Sequence, residues 1–289
     1  MNILVTGGSG FIGSHIVDKL IQYNHTVKVL DLKKPHRKDL DFVEGSIMDK
    51  NTIRLAMKDI EVVYHLAAVS NIDLVKENPL QTVEYNVMGT AYLLDEAREQ
   101  DIKRFIFASS AMVHELKGHL YTFSKHASEQ LCNNYEILYN LPFTIFRFGT
   151  VYGPRNRSAD VISIFIENAL NKHDLHINGT GEKKRNFIYV EDLAEGAIAG
   201  LAEEAKNQIL TIAGLVSTSI MDLAMLIREV FDDKINIEVD NQMDREDDYE
   251  GIISGIDETI TLLNWKPKVN LFDGLLKTIH WYKNDAAYK

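Results

Sequence analysis

The chain has 289 residues, 45% of them hydrophobic and 25% charged, enough for a full core in one large domain or two smaller ones. Its formal net charge of −11 opposes non-specific attraction to DNA, RNA or an anionic membrane, so an anionic substrate needs a local cluster of positive groups. The single cysteine, Cys132, excludes an internal disulfide and argues against a cysteine-based zinc site, and no metal site is expected.

The first residues, Met1 to Thr6, run straight into a glycine turn. They lack the basic start and apolar stretch of a signal peptide. No apolar run approaches the ~18 to 20 residues that span a bilayer. A soluble cytoplasmic protein without membrane or nucleic-acid partners is expected. Asn2–Thr6 reads as a strand ending in Thr6-Gly7-Gly8-Ser9-Gly10-Phe11-Ile12-Gly13, and the helical pattern Ser14–Tyr23 follows. Gly8-x-Gly10-x-x-Gly13 fits the dinucleotide fingerprint, and Gly7-x-x-Gly10-x-x-Gly13 fits its short-chain dehydrogenase variant. Glycine permits positive φ and lets the backbone approach a pyrophosphate. A helix beginning near Gly10 offers that group free N–H donors and the positive end of its dipole.

A second strand, Thr26–Leu30, leads into Asp31, 18 residues after Gly13, near the spacing of a ribose-binding carboxylate. A carboxylate accepts hydrogen bonds from ribose hydroxyls and repels a 2′-phosphate, so Asp31 favours NAD over NADP. Lys33, Lys34, His36 and Arg37 could hold a phosphate, but read better as a solvated loop. Asp49 is placed to cap the helical stretch Thr52–Lys58. The strands Val62–Leu66, Arg104–Ala108 and Phe143–Phe148 then alternate with the amphipathic stretches Val83–Gln100 and Lys125–Tyr139. Such alternation implies parallel pairing through crossover helices, and unbroken apolar runs imply strands covered on both faces. The expected fold is α/β, a doubly wound parallel Rossmann sheet. Residues 1–168 form a cofactor domain to which 187–213 return, and 169–289 form a smaller C-terminal substrate-binding region. In such sheets ligands bind beyond the carboxyl ends of the strands.

The strand Arg104–Ala108 ends at Ser109-Ser110, and Tyr121-Thr122-Phe123-Ser124-Lys125 begins eleven residues after Ser110. Tyr121 and Lys125 are four apart, so on a helix they share a face. An ammonium near a phenol favours the phenolate and lowers its pKa. A tyrosine so tuned can exchange a proton with a sugar hydroxyl, with a strand-end serine on the same oxygen.

On these residues the chain resembles the extended short-chain dehydrogenase/reductases, in particular the NAD-dependent epimerase/dehydratase family of nucleotide-sugar enzymes. The resemblance runs over nearly the whole chain. Tyr64-His65-Leu66-Ala67-Ala68 resembles the family's fourth-strand motif beside the cofactor, and Asn86-Val87-Met88-Gly89-Thr90 its helix motif. Arg147 through Gly153-Pro154-Arg155 resembles the segment that closes over nicotinamide and sugar. Gly179-Thr180-Gly181-Glu182 and Arg185 through Asp192 resemble the late motif whose arginine binds the substrate diphosphate. Arg245 sits where a second such arginine is common, and Leu263-Asn264-Trp265-Lys266-Pro267 resembles the family's C-terminal motif.

The resemblance implies Ser110, Tyr121 and Lys125 as the catalytic set. It implies an NAD site of Gly7, Gly10, Phe11, Ile12, Gly13, Asp31, Leu66, Ala67, Ala68, Asn86, Tyr121 and Lys125. Thr150, Arg185 and Arg245 would contact a nucleotide-diphosphate sugar, the arginines through charge-assisted bonds. It also implies a homodimer paired through the helices Val83–Gln100 and Lys125–Tyr139.

Some positions depart from the pattern. The Ser110-to-Tyr121 spacing is short, which opens the sugar side of the site or leaves that wall to a partner subunit. His114 stands where tyrosine is frequent, Thr150 where asparagine is, and Ser46 where an aspartate often contacts adenine. Family 4,6-dehydratases carry an Asp-Glu pair after the strand-end hydroxyl residue, whereas Ala111-Met112 follow Ser110 here. The missing acids favour simple hydride and proton exchange, hence a 4-epimerase. A 4-keto-sugar reductase or dehydrogenase using the same residues stays open, as does an NAD-bound binding or regulatory protein that has lost turnover.

Overall fold

In the computed structural model the described residues are 1–114, 120–156, 160–231, 235–241 and 253–284. In chain order the first elements are β1 (Asn2–Thr6), α1 (Phe11–Gln22), β2 (Thr26–Asp31), β3 (Asp41–Glu44), α2 (Lys50–Met57) and β4 (Val62–His65). There follow α3 (Ile72–Glu77), α4 (Pro79–Val83), a π-helical turn (Glu84–Met88), α5 (Gly89–Glu99), β5 (Arg104–Ser110), α6 (Leu120–Tyr139) and β6 (Phe143–Phe148). Next come β7 (Thr150–Tyr152), α7 (Val161–Leu170), β8 (Leu175–Asn178), β9 (Lys184–Tyr189), α8 (Val190–Ala199) and β10 (Gln208–Ile212). The last are β11 (Ser217–Ser219), α9 (Ile220–Val230), β12 (Ile237–Asp240), α10 (Ile256–Leu263) and α11 (Leu271–Asn284).

The chain divides into two units: Met1–Phe148 with Ala194–Ile212 and Gly255–Trp265, and Gly149–Leu193 with Ala213–Ser254 and Lys266–Lys289. The first holds a seven-stranded sheet in the order β10-β6-β5-β4-β1-β2-β3, parallel throughout. The order runs outward from β1 in both directions, which puts a change of winding direction between β1 and β4. The central strands are buried along their length because helices cover both faces: Leu4, Val63, Phe105 and Ile145 sit in one core cluster with Ile53, Leu93, Leu94 and Cys132 from the helices. Asp49 caps α2, its carboxylate accepting the N–H groups of Asn51 and Thr52. Trp265 packs over Gly196, where a Cβ would come within 2.9 Å of the indole.

The second unit holds two small sheets, β11-β9-β7 and β12-β8. The first boundary falls at Phe148/Gly149, ahead of the sequence expectation of 168, because α7 buries its apolar face elsewhere. Ile162, Phe165, Ile166 and Ala169 pack with Leu175, Leu223, Ile227 and Leu275 in the core of the second unit.

Candidate functional site

The loop after β1 closes on itself in a way that only glycine permits at two positions. Gly7 lies at φ +72°, and a Cβ there would stand 2.6 Å from the Ala67 backbone nitrogen. At Gly13 a Cβ would stand 2.2 Å from the Gly7 carbonyl oxygen. The loop is thereby pressed against Leu66 and Ala67, and the Leu66 N–H donates to the Thr6 carbonyl at 3.0 Å. Gly10 is different. It caps α1 at φ −75°, ψ 176°, and within 4 Å a Cβ there would meet one atom beyond its chain neighbours, the Gly7 carbonyl oxygen at 3.2 Å. The first intrahelical bond runs from Ser14 N–H to the Gly10 carbonyl at 2.9 Å, so the N–H groups of Phe11, Ile12 and Gly13 are not used within the helix.

Asp31 ends β2 beside this loop. One carboxylate oxygen accepts the Ser9 N–H and the other the Lys33 N–H, each at 3.0 Å. The Ser9 hydroxyl donates to the Lys33 carbonyl at 2.6 Å. Of the nearby basic residues, Arg37 and His36 lie beside acids of the protein. Arg37 donates to both carboxylate oxygens of Asp39 at 2.9 and 2.6 Å and lies 3.3 Å from an Asp18 oxygen, while His36 lies 3.5 Å from the other. An open-sided glycine, unspent helix N–H groups and an oriented carboxylate together fit a dinucleotide without a 2′-phosphate. Ser46, the departure at the adenine position, accepts the Met48 N–H at 3.1 Å.

At the carboxyl end of β5, the Ser110 hydroxyl accepts the Met112 N–H at 3.2 Å, which leaves its own proton for the Tyr121 hydroxyl, with which it is hydrogen-bonded. Tyr121 is the second residue of α6 and Lys125 follows one turn on. The buried Lys125 donates to the Ala108 carbonyl at 2.7 Å, lies over the Phe107 ring at 4.8 Å, and stands 5.9 Å from the Tyr121 ring centre. The structure thus brings Ser110, Tyr121 and Lys125 together, but corrects the expected electrostatics. Burial pushes the Tyr121 phenol up to about 12, with the Ser110 hydrogen bond pulling the other way. Burial also draws the Lys125 ammonium down to about 8, opposed by Glu129. In the protein alone desolvation outweighs the ammonium that was expected to lower the phenol.

Asn86 sits in the π-helical turn, a departure from α-helix that is frequent at functional sites. Its amide donates to the Val69 carbonyl and to the Ser124 hydroxyl, both at 3.0 Å, and its oxygen accepts the Val69 N–H at 2.7 Å. Those bonds tie the half-buried Leu66–Val69 segment to α6.

Two buried groups were not singled out from sequence. His65 bonds Thr6 at 2.8 Å through Nδ1 and Thr90 at 2.9 Å through Nε2. The Thr90 hydroxyl donates to the Asn86 carbonyl at 2.6 Å. It therefore accepts from Nε2–H, and Nδ1 accepts from Thr6. Burial draws His65 down to about 3, so the ring is neutral. Glu129 accepts the Ser109 hydroxyl at 2.6 Å and both Nε and Nη2 of Arg147 at 3.0 and 2.7 Å. Its signal in the sequence is the spacing Tyr121, Lys125, Glu129, four and four. Arg147 was grouped with the segment over the sugar, but its guanidinium grips this carboxylate.

In the second unit Thr150 is half-buried on β7 opposite Phe187. Arg185 is half-buried on β9 opposite Thr218, follows Lys183 and Lys184, and donates to the Lys184 carbonyl at 2.8 Å. Arg245 lies outside the described residues, as does the side chain of His114. Among the described residues no three His, Cys, Asp or Glu side chains converge as metal ligands, and no helix is long and apolar enough to cross a membrane.

The sequence profile of the NAD dependent epimerase/dehydratase family matches residues 3–213. A putative UDP-glucose 4-epimerase of Methanocaldococcus jannaschii is 35% identical over an alignment of 306 positions, covering 98% of this chain and 99% of the relative. Among solved structures, the UDP-glucose 4-epimerase of Thermotoga maritima with UDP-glucose superposes with a TM-score of 0.91 at 30% identity, covering 98% and 99% of the two chains. The UDP-glucuronic acid 4-epimerase of Bacillus cereus, in complex with UDP-glucuronic acid and NAD, superposes with a TM-score of 0.89 at 26% identity, covering 98% and 99%. A glycine loop, a strand-end acid and a Ser-Tyr-Lys set in this arrangement, matched over most of the chain, make it a member of the NAD-dependent epimerase/dehydratase family.

Proposed function

We propose that this protein is an NAD-dependent nucleotide-sugar epimerase that inverts the sugar C4. The observation that carries the reading is the hydrogen-bonded Ser110–Tyr121 pair at the end of β5 with the Lys125 ammonium one turn along α6. In this reading the N–H groups of Phe11, Ile12 and Gly13 hold the pyrophosphate over Gly10, with Gly7 shaping the turn. Asp31 accepts from the ribose hydroxyls, and Leu66, Ala67 and Ala68 line the same side, held there by Asn86. Tyr121 and Lys125 reach the nicotinamide end. Thr150 contacts the sugar, and Arg185 and Arg245 pair with the substrate diphosphate.

When bound, NAD would supply the hydride acceptor and donor for C4, and the positive charge of its oxidised nicotinamide ring would favour the phenolate. Tyr121 takes the proton of the C4 hydroxyl as the ketone forms and returns it when the alcohol is restored on the opposite face. Ser110 holds the same oxygen, and Lys125 balances the phenolate charge. Loss of water from the sugar would need an acid for the departing hydroxyl and a base for a ring proton. Ala111 and Met112, the residues after Ser110, supply neither, which favours epimerisation over dehydration.

The same reading makes the enzyme cytoplasmic, in keeping with its one buried cysteine. It also makes it a homodimer, in keeping with the exposed apolar residues Phe123, Ile137 and Leu138 on α6. Light scattering of the purified protein tests the dimer. The test of function is interconversion of UDP-glucose and UDP-galactose, or of their N-acetyl forms, without added cofactor. Conversion supports the epimerase, and no turnover with any nucleotide sugar refutes it.

A further inference from the structure

Tyr121, Lys125 and Glu129 lie four residues apart on α6, so they line one face over successive turns. Parallel register pairs Ser109 on β5 with Arg147 on β6, which aims both side chains at this face. The Glu129 carboxylate is fully buried and accepts three donors: the Ser109 hydroxyl at 2.6 Å and Arg147 through Nε at 3.0 Å and Nη2 at 2.7 Å. A buried ion pair is a poor way to gain stability alone, because desolvation offsets much of the attraction and apolar packing often does as well. This one stands one turn from the reactive lysine.

The groups that act on Lys125 among the described residues favour one source of support. Burial pulls its ammonium down to about 8, with Glu129 and then Cys132 raising it. Burial pushes the Cys132 thiol far up, so it carries no charge. From β4, His65 faces the site as a neutral ring. From β5 come the Ala108 carbonyl and the Phe107 ring, and from α6 itself the protonated Tyr121. From β6 comes Arg147, a cation paired with the Glu129 carboxylate. Glu129 is the anion that remains.

We propose that Glu129, clamped by Arg147 and Ser109 one turn along α6, is a positioning residue whose buried charge keeps the Lys125 side chain protonated beneath Tyr121. The reaction it serves rests on the epimerase reading, whereas its effect on Lys125 does not.

The test is titration of Lys125 in full-length, lysine-labelled protein by heteronuclear NMR, its signal identified with Lys125→Met, beside pH profiles of kcat/KM for UDP-galactose. Glu129→Gln is expected to lower the Lys125 midpoint by about one pH unit or more, and Glu129→Asp to restore most of it. The first change takes from Arg147 the carboxylate it grips, which can unfold the chain. The double variant Glu129→Gln, Arg147→Gln removes that cation, whose loss favours the ammonium, and is expected to show a lowered midpoint, smaller in size than in the single variant, in a folded protein. The alkaline limb of the profile should move down with the midpoint, a change that a purely structural role would not produce. A folded variant with an unmoved Lys125 overturns the proposal, and so does failure of both neutral variants to fold, which assigns the pair to stability alone. A parent protein that titrates as described but turns over no UDP sugar refutes the epimerase reading instead.

Discussion

Gly10→Ala separates holding the fold from holding the cofactor. Gly10 has φ −75° and ψ 176°, a conformation open to any residue, and its new methyl meets only the Gly7 carbonyl oxygen at 3.2 Å. Alanine in place of glycine at a helix N-cap costs about 0.5–1 kcal/mol, and the stiffer unfolded chain returns about 0.4–1 kcal/mol. The melting temperature should therefore stay within about 2–4 °C of the parent. The methyl does, however, fill the open side of the loop that the proposed reading gives to the pyrophosphate. Loss of one hydrogen bond to a charged group costs about 1.5–3 kcal/mol, so the Kd for NAD should rise on the order of 10- to 100-fold. Calorimetric titration of NAD into cofactor-stripped protein, with thermal unfolding alongside, reads both quantities. Gly13→Ala is the contrasting case, because its Cβ would lie 2.2 Å from the Gly7 carbonyl oxygen and the backbone must move, lowering stability and affinity together. An unchanged Kd for Gly10→Ala at unchanged melting temperature refutes the placement of the pyrophosphate.

Tyr121→Phe should lower kcat by about 10² to 10⁴-fold while NAD affinity holds, and kinetics on the same preparation decide it. Arg185→Ala should raise the Kd for UDP about 10- to 100-fold through the loss of one charged contact, and calorimetry showing equal UDP binding removes Arg185 from the diphosphate site. The neutral buried His65 makes the fold acid-sensitive. Its folded pKa of about 3 lies below the ordinary 6.5, so the unfolded chain binds the extra proton and stability falls as pH drops from 6.5 toward 3. The slope attributable to this group reaches about 1.4 kcal/mol per pH unit. Urea unfolding between pH 7 and pH 5 should be less pH-dependent in His65→Gln, and equal slopes in parent and variant would count against the assignment.

The sheet was legible because its signals are local. Unbroken apolar runs such as Val62–His65 and Phe143–Phe148 mark strands covered on both faces, and the glycines after Thr6 mark a turn that nothing bulkier could make. Tyr121 and Lys125 could be placed on one face because helical spacing is fixed. What escaped depends on contacts between distant segments. The helix read from Val83 starts at Pro79 and carries a π-helical turn around Asn86, which answers to Val69 and Ser124 and leaves no mark in apolar periodicity. The unit boundary moved because the apolar face of α7 suits either neighbour until the packing is known. The direction of the Tyr121 shift was misjudged because burial cannot be weighed from a motif. Glu129 and Arg147 each looked like an ordinary charged residue, and only the packing of α6 against the sheet shows that they meet.

Tyr121, Lys125 and Glu129 sit at the second, sixth and tenth residues of α6, so their mutual spacing is set by helical pitch alone. An insertion or deletion upstream, between Ser110 and Leu120, leaves that spacing intact. One added residue between Tyr121 and Glu129 would swing half the set about 100° around the axis. Length variation among descendants of this chain should therefore gather in the segment before α6, where it leaves the pitch that sets these three side chains untouched.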